Sequence, residues 1–177
     1  MEAEADWEHR RTRETHLGYR RGEHFASPDA AAYDERRAYE FPRYLHFNNW
    51  TLAGDWTVGP EKVVLDRAGG STAYPFEARD AHLVLSAGAR EPIPFRVLLD
   101  DEAPNPSHGV DVDEDGNGLL RERRLYQLVR EHDTVRERAL ACAVPHSVLS
   151  SHGLIWWNPT PESGGDTSVR QARAARS

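Results

Sequence analysis

"STAYPFEARDAHLVL", residues 71–85, carries the signal that decides the fold. Tyr74, Phe76 and Ala78 fall on one side of an extended chain, and Leu83 and Leu85 share one side of the next segment. Side chains of a strand alternate between two faces, so this spacing predicts two half-buried antiparallel strands. The pattern continues downstream. "IPFRVLLD" (93–100) places Phe95, Val97 and Leu99 together, and "RLYQLVRE" (124–131) sets Leu125 and Val129 on one side with Tyr126 and Leu128 on the other. Gly69-Gly70, "DDEAPNPSHG" (100–109) and the acidic stretch after it supply the turns. Short apolar runs separated by turn residues over 43–144 predict an all-β domain, best accommodated as a two-sheet sandwich.

The flanks read differently. Residues 1–42 are charged and lack a periodic apolar pattern, and Pro28 and Pro42 interrupt "SPDAAAYDERRAYEFP", so they are expected to form a flexible lead-in. Residues 145–177 end in a Gly, Ser and Arg mixture expected to be disordered, with Trp156-Trp157 as exposed apolar surface.

Composition narrows the function. The 177 residues contain 29 acidic and 22 basic side chains, a net charge of -7, and no basic stripe alternating with aromatics, which argues against a nucleic-acid partner. Hydrophobic residues make up 38%, and a mean hydropathy of -0.73 leaves material for one modest core. The single cysteine, Cys142, cannot form an intrachain disulfide or a C-x-x-C pair, so dithiol chemistry is not expected from this chain alone. Its apolar neighbours Ala141 and Ala143 point to an inert buried thiol. No H-E-x-x-H, G-x-S-x-G or Gly-rich phosphate loop occurs. "MEAEADWEHRR" has no apolar signal core, and no run of about 18 apolar residues follows, so no membrane insertion and a cytoplasmic location are expected.

Two stretches are candidates for binding sites. "GVDVDEDGNGLLRERRL" (109–125) places Asp111, Asp113, Asp115, Gly116 and Glu122 at positions 1, 3, 5, 6 and 12 of a calcium loop, with the Asn117 carbonyl at the seventh. Alternate carboxylates, a glycine at the bend and a closing Glu are sufficient for a hard cation. Pro104, Pro106 and Gly109 exclude the entering helix of an EF-hand, so calcium is expected only in a loop of a sandwich. The competing reading is a hairpin, since Asp115-Gly116 and Asn117-Gly118 both favour tight turns. The second candidate is a carbohydrate surface in which Trp50, Trp56 and Tyr74 stack on pyranose rings while Arg79, with Asn48, Asn49 and Asp80, bonds hydroxyls. Against it, Trp50 and Trp56 are six apart, an even spacing that also suits one buried strand face.

"ADW" (5–7), "ETHLGYRR" (14–21), "FASP" (25–28), "NNWTLAGDWTVGPEKVVL" (48–65), "AGGSTAYPFEARDAHLVL" (68–85), "FRVLLD" (95–100) and "HGVDVDEDGNGLLRERRLYQLVR" (108–130) follow one another in an order familiar from one family. Over about residues 5–138 the chain resembles the domain that follows the thioredoxin-like domain in DipZ-family redoxins. The resemblance implies a jelly-roll-like, carbohydrate-binding-module-like sandwich, a thioredoxin-like domain as partner, and an extracytoplasmic setting in membrane-anchored relatives. Beyond Arg138 the aromatic F-x-F-x-F-G strand of that family is replaced by "ALACAVPHSVLSSHGLIWWNPTP" (139–161), a departure that fits a shifted reading frame. The expected function is a non-catalytic accessory and binding module. The alternative is a fragment of a thiol-disulfide oxidoreductase whose catalytic domain is missing from this chain.

Overall fold

A computed structural model of the chain describes residues 15–87 and 91–145, and the backbone alone of Gly153–Ile155. The described residues contain strands and turns without a helix: β1 Arg36–Tyr39, β2 Thr51–Val58, β3 Val63–Leu65, β4 Ser71–Glu77, β5 Asp80–Leu85, β6 Ile93–Leu99, β7 Asn117–Leu120, β8 Arg124–Arg130, β9 Glu137–Ala143 and β10 Gly153–Ile155. The large sheet runs β10-β3-β2-β4-β9-β6-β7, with β1 also on β2, and β5 pairs β8 in a second sheet. All pairings between named strands are antiparallel. The fold is an all-β sandwich.

The alternation that predicted the strands is the alternation that fills the core. Tyr74 and Phe76 of β4, Leu83 and Leu85 of β5, and Phe95, Val97 and Leu99 of β6 are all buried, and Ala78 packs against them. Phe95 of the large sheet meets Tyr126 of the small one edge to face, with ring centroids 5.9 Å apart, a contact that fixes the two layers on each other. β8 is buried from Tyr126 to Val129, and the 107–112 segment pairs along its edge: Gly109 N donates to Leu128 O and Arg130 N to Ser107 O.

Residues 15–42 depart from the expected lead-in, since they lie on the sandwich. Leu17 and Tyr39 are buried, Phe25 and Tyr33 make parallel bridges to Trp50 and Val58, and β1 pairs with β2. The anchors Leu17, Phe25, Tyr33 and Tyr39 are six to eight residues apart, so neither a period of 2 nor of 3.6 reveals them.

The segment after Arg138 provides an interior strand. β9 sits between β4 and β6, burying Leu140 and Cys142 against the core, so this Ala-rich stretch forms a strand although it lacks the aromatic pattern. Most of 145–177, including Trp156-Trp157, lies outside the described residues; within it β10 pairs with β3.

Candidate functional site

The acidic stretch folds as a hairpin turn. Asp113 N donates to Asn117 O at 2.9 Å and Gly116 N to Asp113 O at 2.9 Å, and the chain enters β7 at Asn117. Asp113 caps the turn: its Oδ1 accepts Asn117 N at 2.8 Å and Asp115 N at 3.1 Å, and the Asn117 amide reaches its Oδ2 at 3.2 Å. These N–H groups, that of Asn117 foremost, hold the Asp113 carboxyl below its ordinary pKa. Gly116 is required, because its φ is +86° and a Cβ there would lie 2.1 Å from Val97 O. Gly118 leaves room for the Phe95 ring, which an added Cβ would meet at 2.2 Å.

The five calcium-loop positions are therefore not drawn into one shell. Asp113 and Asn117 meet, but Asp111 turns to β8, where its Oδ1 takes Arg124 Nη2 at 2.6 Å and its Oδ2 takes Gln127 N at 2.7 Å. Glu122 follows β7, and its carbonyl accepts the Tyr126 hydroxyl at 2.8 Å. Among the described residues no group of three or more His, Cys, Asp or Glu is gathered as a ligand set.

The aromatic platform requires correction. Trp50, Trp56 and Tyr74 are 2%, 1% and 0% exposed, so none offers a ring face to a sugar. Their polar atoms are also occupied: Trp50 Nε1 donates to Glu23 O, Trp56 Nε1 to Ala53 O, and Tyr74 Oη accepts from Thr15 Oγ1. Burial raises the Tyr74 hydroxyl pKa. Arg79 is exposed in the β4–β5 turn, while Asp80 is buried and paired with Arg130 at 2.7 Å. The physical cause is the even spacing of Trp50, Leu52 and Trp56, which points all three into the core.

Aromatic surface exists elsewhere, in residues the sequence reading passed over. Tyr19 and Tyr33 pair with centroids 4.6 Å apart and planes tilted by 39°, and Tyr33 is 55% exposed. Tyr19 Oη donates to Asp34 Oδ2 at 2.8 Å, which raises the Tyr19 pKa. They lie 14 apart in the aperiodic 15–42 segment and come together because both dock on the end of β2, Tyr33 by its bridge to Val58 and Tyr19 by its N–H to Gly59 O at 3.0 Å.

The polar interior is structural in character. Glu131 is buried, accepts Ser107 Oγ at 2.9 Å, and is paired with Arg138, whose Nε also reaches Asp100 Oδ2. Buried charges persist only when partnered in this way. The Cys142 thiol is buried in β9, and burial pushes its pKa from 9.0 to about 12, so it carries no thiolate at neutral pH.

No curated protein matches the chain. The family described as "Thioredoxin like C-terminal domain" matches residues 12–152, a span that takes in the described sandwich from the Leu17 anchor through β9 and runs past Arg138, where the resemblance was expected to end. The chain belongs to the family of thioredoxin-like C-terminal domains.

Proposed function

We propose that this sandwich is a non-catalytic accessory domain of redoxin-like proteins and acts by binding. The family match over 12–152 carries this reading. The chemistry supports it: the one cysteine of these 177 residues has no thiol partner for a dithiol cycle, and its buried thiol is protonated at neutral pH. The test is insulin reduction driven by dithiothreitol. With the chain alone the rate should equal that of buffer, and catalysed turnover would sink the reading.

A second, finer reading concerns the ligand. The exposed Tyr19–Tyr33 pair with the Asp34 carboxylate offers ring faces beside an acceptor, the combination that suits a sugar, which the buried Trp50, Trp56 and Tyr74 do not. On a glycan array Tyr33→Ala should abolish any binding that the chain shows, whereas retained binding would remove this pair from consideration.

A further inference from the structure

β1 pairs with β2 along one edge and has no strand on the other among the described residues. Consecutive residues of a strand direct their backbone N–H and C=O groups to alternate sides. On β2, Asp55 O accepts Asp66 N and the following Gly59 N donates to Lys62 O, so the odd-numbered residues serve β3 and the even-numbered ones serve β1. The register sets Arg37 opposite Trp56 and Tyr39 opposite Gly54, so the backbone groups of Arg37 and Tyr39 face β2. Those of Arg36 and Ala38, and of Glu40 just after the strand, face the other way. All three residues are exposed, and no backbone hydrogen bond among the described residues reaches them on that side. The side chains of Arg37 and Tyr39 stay with their own chain: Arg37 Nη1 donates to Ala30 O at 3.0 Å, and Tyr39 Oη accepts Ala32 N at 3.1 Å.

An open edge is a template for another strand, and folded proteins commonly blunt it with charges that repel a copy. The charges of this edge attract one instead. When two β1 strands pair antiparallel about a two-fold axis at Ala38, the outward-facing residues meet each other, and Arg36 stands opposite Glu40 of the second copy on both sides of the axis. An axis at Arg37 would set that arginine against itself, so charge selects Ala38. Arg36 is already ordered at the edge by Asp55 at 2.8 Å, and its side chain is 46% exposed, open to a second carboxylate.

The exposed rings supply an independent observation. Among the described residues the exposed large aromatic side chains are Tyr19, Tyr33, Phe41 and Tyr44, and all four lie in the stretch that enters and leaves β1. Exposed apolar side chains gathered in one region mark a contact surface. Pairing about Ala38 brings the Phe41 end of one β1 beside the Tyr33 end of the other. A four-residue strand pair alone falls short of the roughly 1,200 Å² of a stable interface, and these rings add apolar area at both of its ends.

We propose that the chain forms a two-fold dimer through the open edge of β1, with the Arg36–Glu40 pairs setting the register. The partner is a second copy of this chain, and the sheets of the two sandwiches become continuous. The dimer does not depend on the accessory-domain reading, and each can fail alone.

The experiment is sedimentation equilibrium of the full chain over a concentration series, in which the mass should rise from 20.0 kDa towards twice that value. Ala38→Pro removes an outward N–H and leaves the β1–β2 bonds in place, since an edge strand tolerates proline where its N–H faces solvent, and should restore the monomer mass. Glu40→Arg and Arg36→Glu should each be monomeric alone, and their equimolar mixture should dimerise, because both contacts across the axis regain opposite charges. Melting curves check that each variant folds. A wild type of 20.0 kDa at every concentration would overturn the proposal, as would a dimer that folded Ala38→Pro and Glu40→Arg leave unchanged. A mixture that stays monomeric would overturn the Arg36–Glu40 register.

Discussion

Arg124 Nη2 lies 2.6 Å from Asp111 Oδ1, so a guanidinium holds the carboxylate at the first position of the calcium-like spacing. The same guanidinium covers the Tyr126 ring at 3.8 Å, tying the turn to β8. With Asp111 committed to Arg124 and Asp113 to its own turn, the wild-type melting curve should be the same in millimolar calcium and in chelator. A site filled to one hundred times its dissociation constant would instead stabilise the fold by about 2.7 kcal/mol. A calcium-dependent rise in Tm that Glu122→Gln abolishes would show that the loop rearranges around the ion.

Arg138 is the cation for buried Glu131. Arg138→Met leaves that carboxylate without its charge partner and should cost about 3 kcal/mol in urea unfolding, the usual scale for breaking a buried pair. Adding Glu131→Gln to the same chain should recover most of the loss. A single variant as stable as the wild type would mean that solvent reaches Glu131.

Leu99 and Glu102 close a two-residue turn, Leu99 N to Glu102 O at 2.8 Å, with Asp100 at φ 54° and Asp101 at φ 65°. Both central residues occupy the left-handed region, where glycine is at ease and a side chain is not. Asp101→Gly should stabilise the fold by about 0.5 kcal/mol, seen as a small rise in Tm. Asp100 is a different case, since its carboxylate accepts Ala139 N at 2.8 Å and also binds Arg138, so Asp100→Gly should destabilise.

Cys142 ionises at about 12 in the folded chain and at its ordinary value of 9.0 when exposed. A raised folded pKa means that the contribution is fully present below pH 9 and is lost as pH climbs towards 12. Wild type should therefore lose more stability than Cys142→Ala across that interval, by chemical denaturation at each pH. Parallel losses would show the thiol to be accessible, as would fast labelling by a disulfide reagent in the native state at neutral pH.

The strands were legible because Tyr74 and Phe76, Leu83 and Leu85, and Phe95, Val97 and Leu99 alternate without interruption, and alternation is a local signal. Residues 15–42 were not, because Leu17, Phe25 and Tyr33 are anchored at wide intervals, and Phe25 and Tyr33 make their backbone bridges to Trp50 and Val58, outside the segment. The candidate sites were legible as residue types and not as places. An even spacing allowed Trp50 and Trp56 either side of a sheet, and only the assembled core puts them inside. The acidic spacing likewise fits a turn and a chelate equally well until Arg124 arrives from β8. The outward alanines of "ERALACA" alternate as clearly as any core residue, but which face is outward depends on β4 and β6.

The central claim is that this domain contributes to a redoxin-like protein by binding and not by thiol chemistry. Its most direct test joins the chain to a thioredoxin-like domain and measures insulin reduction with Cys142 present and with Cys142→Ala. The account predicts the same kcat for both fusions and no turnover above buffer for the chain alone. A kcat that collapses in Cys142→Ala, with the variant still folded by its melting curve, would contradict it.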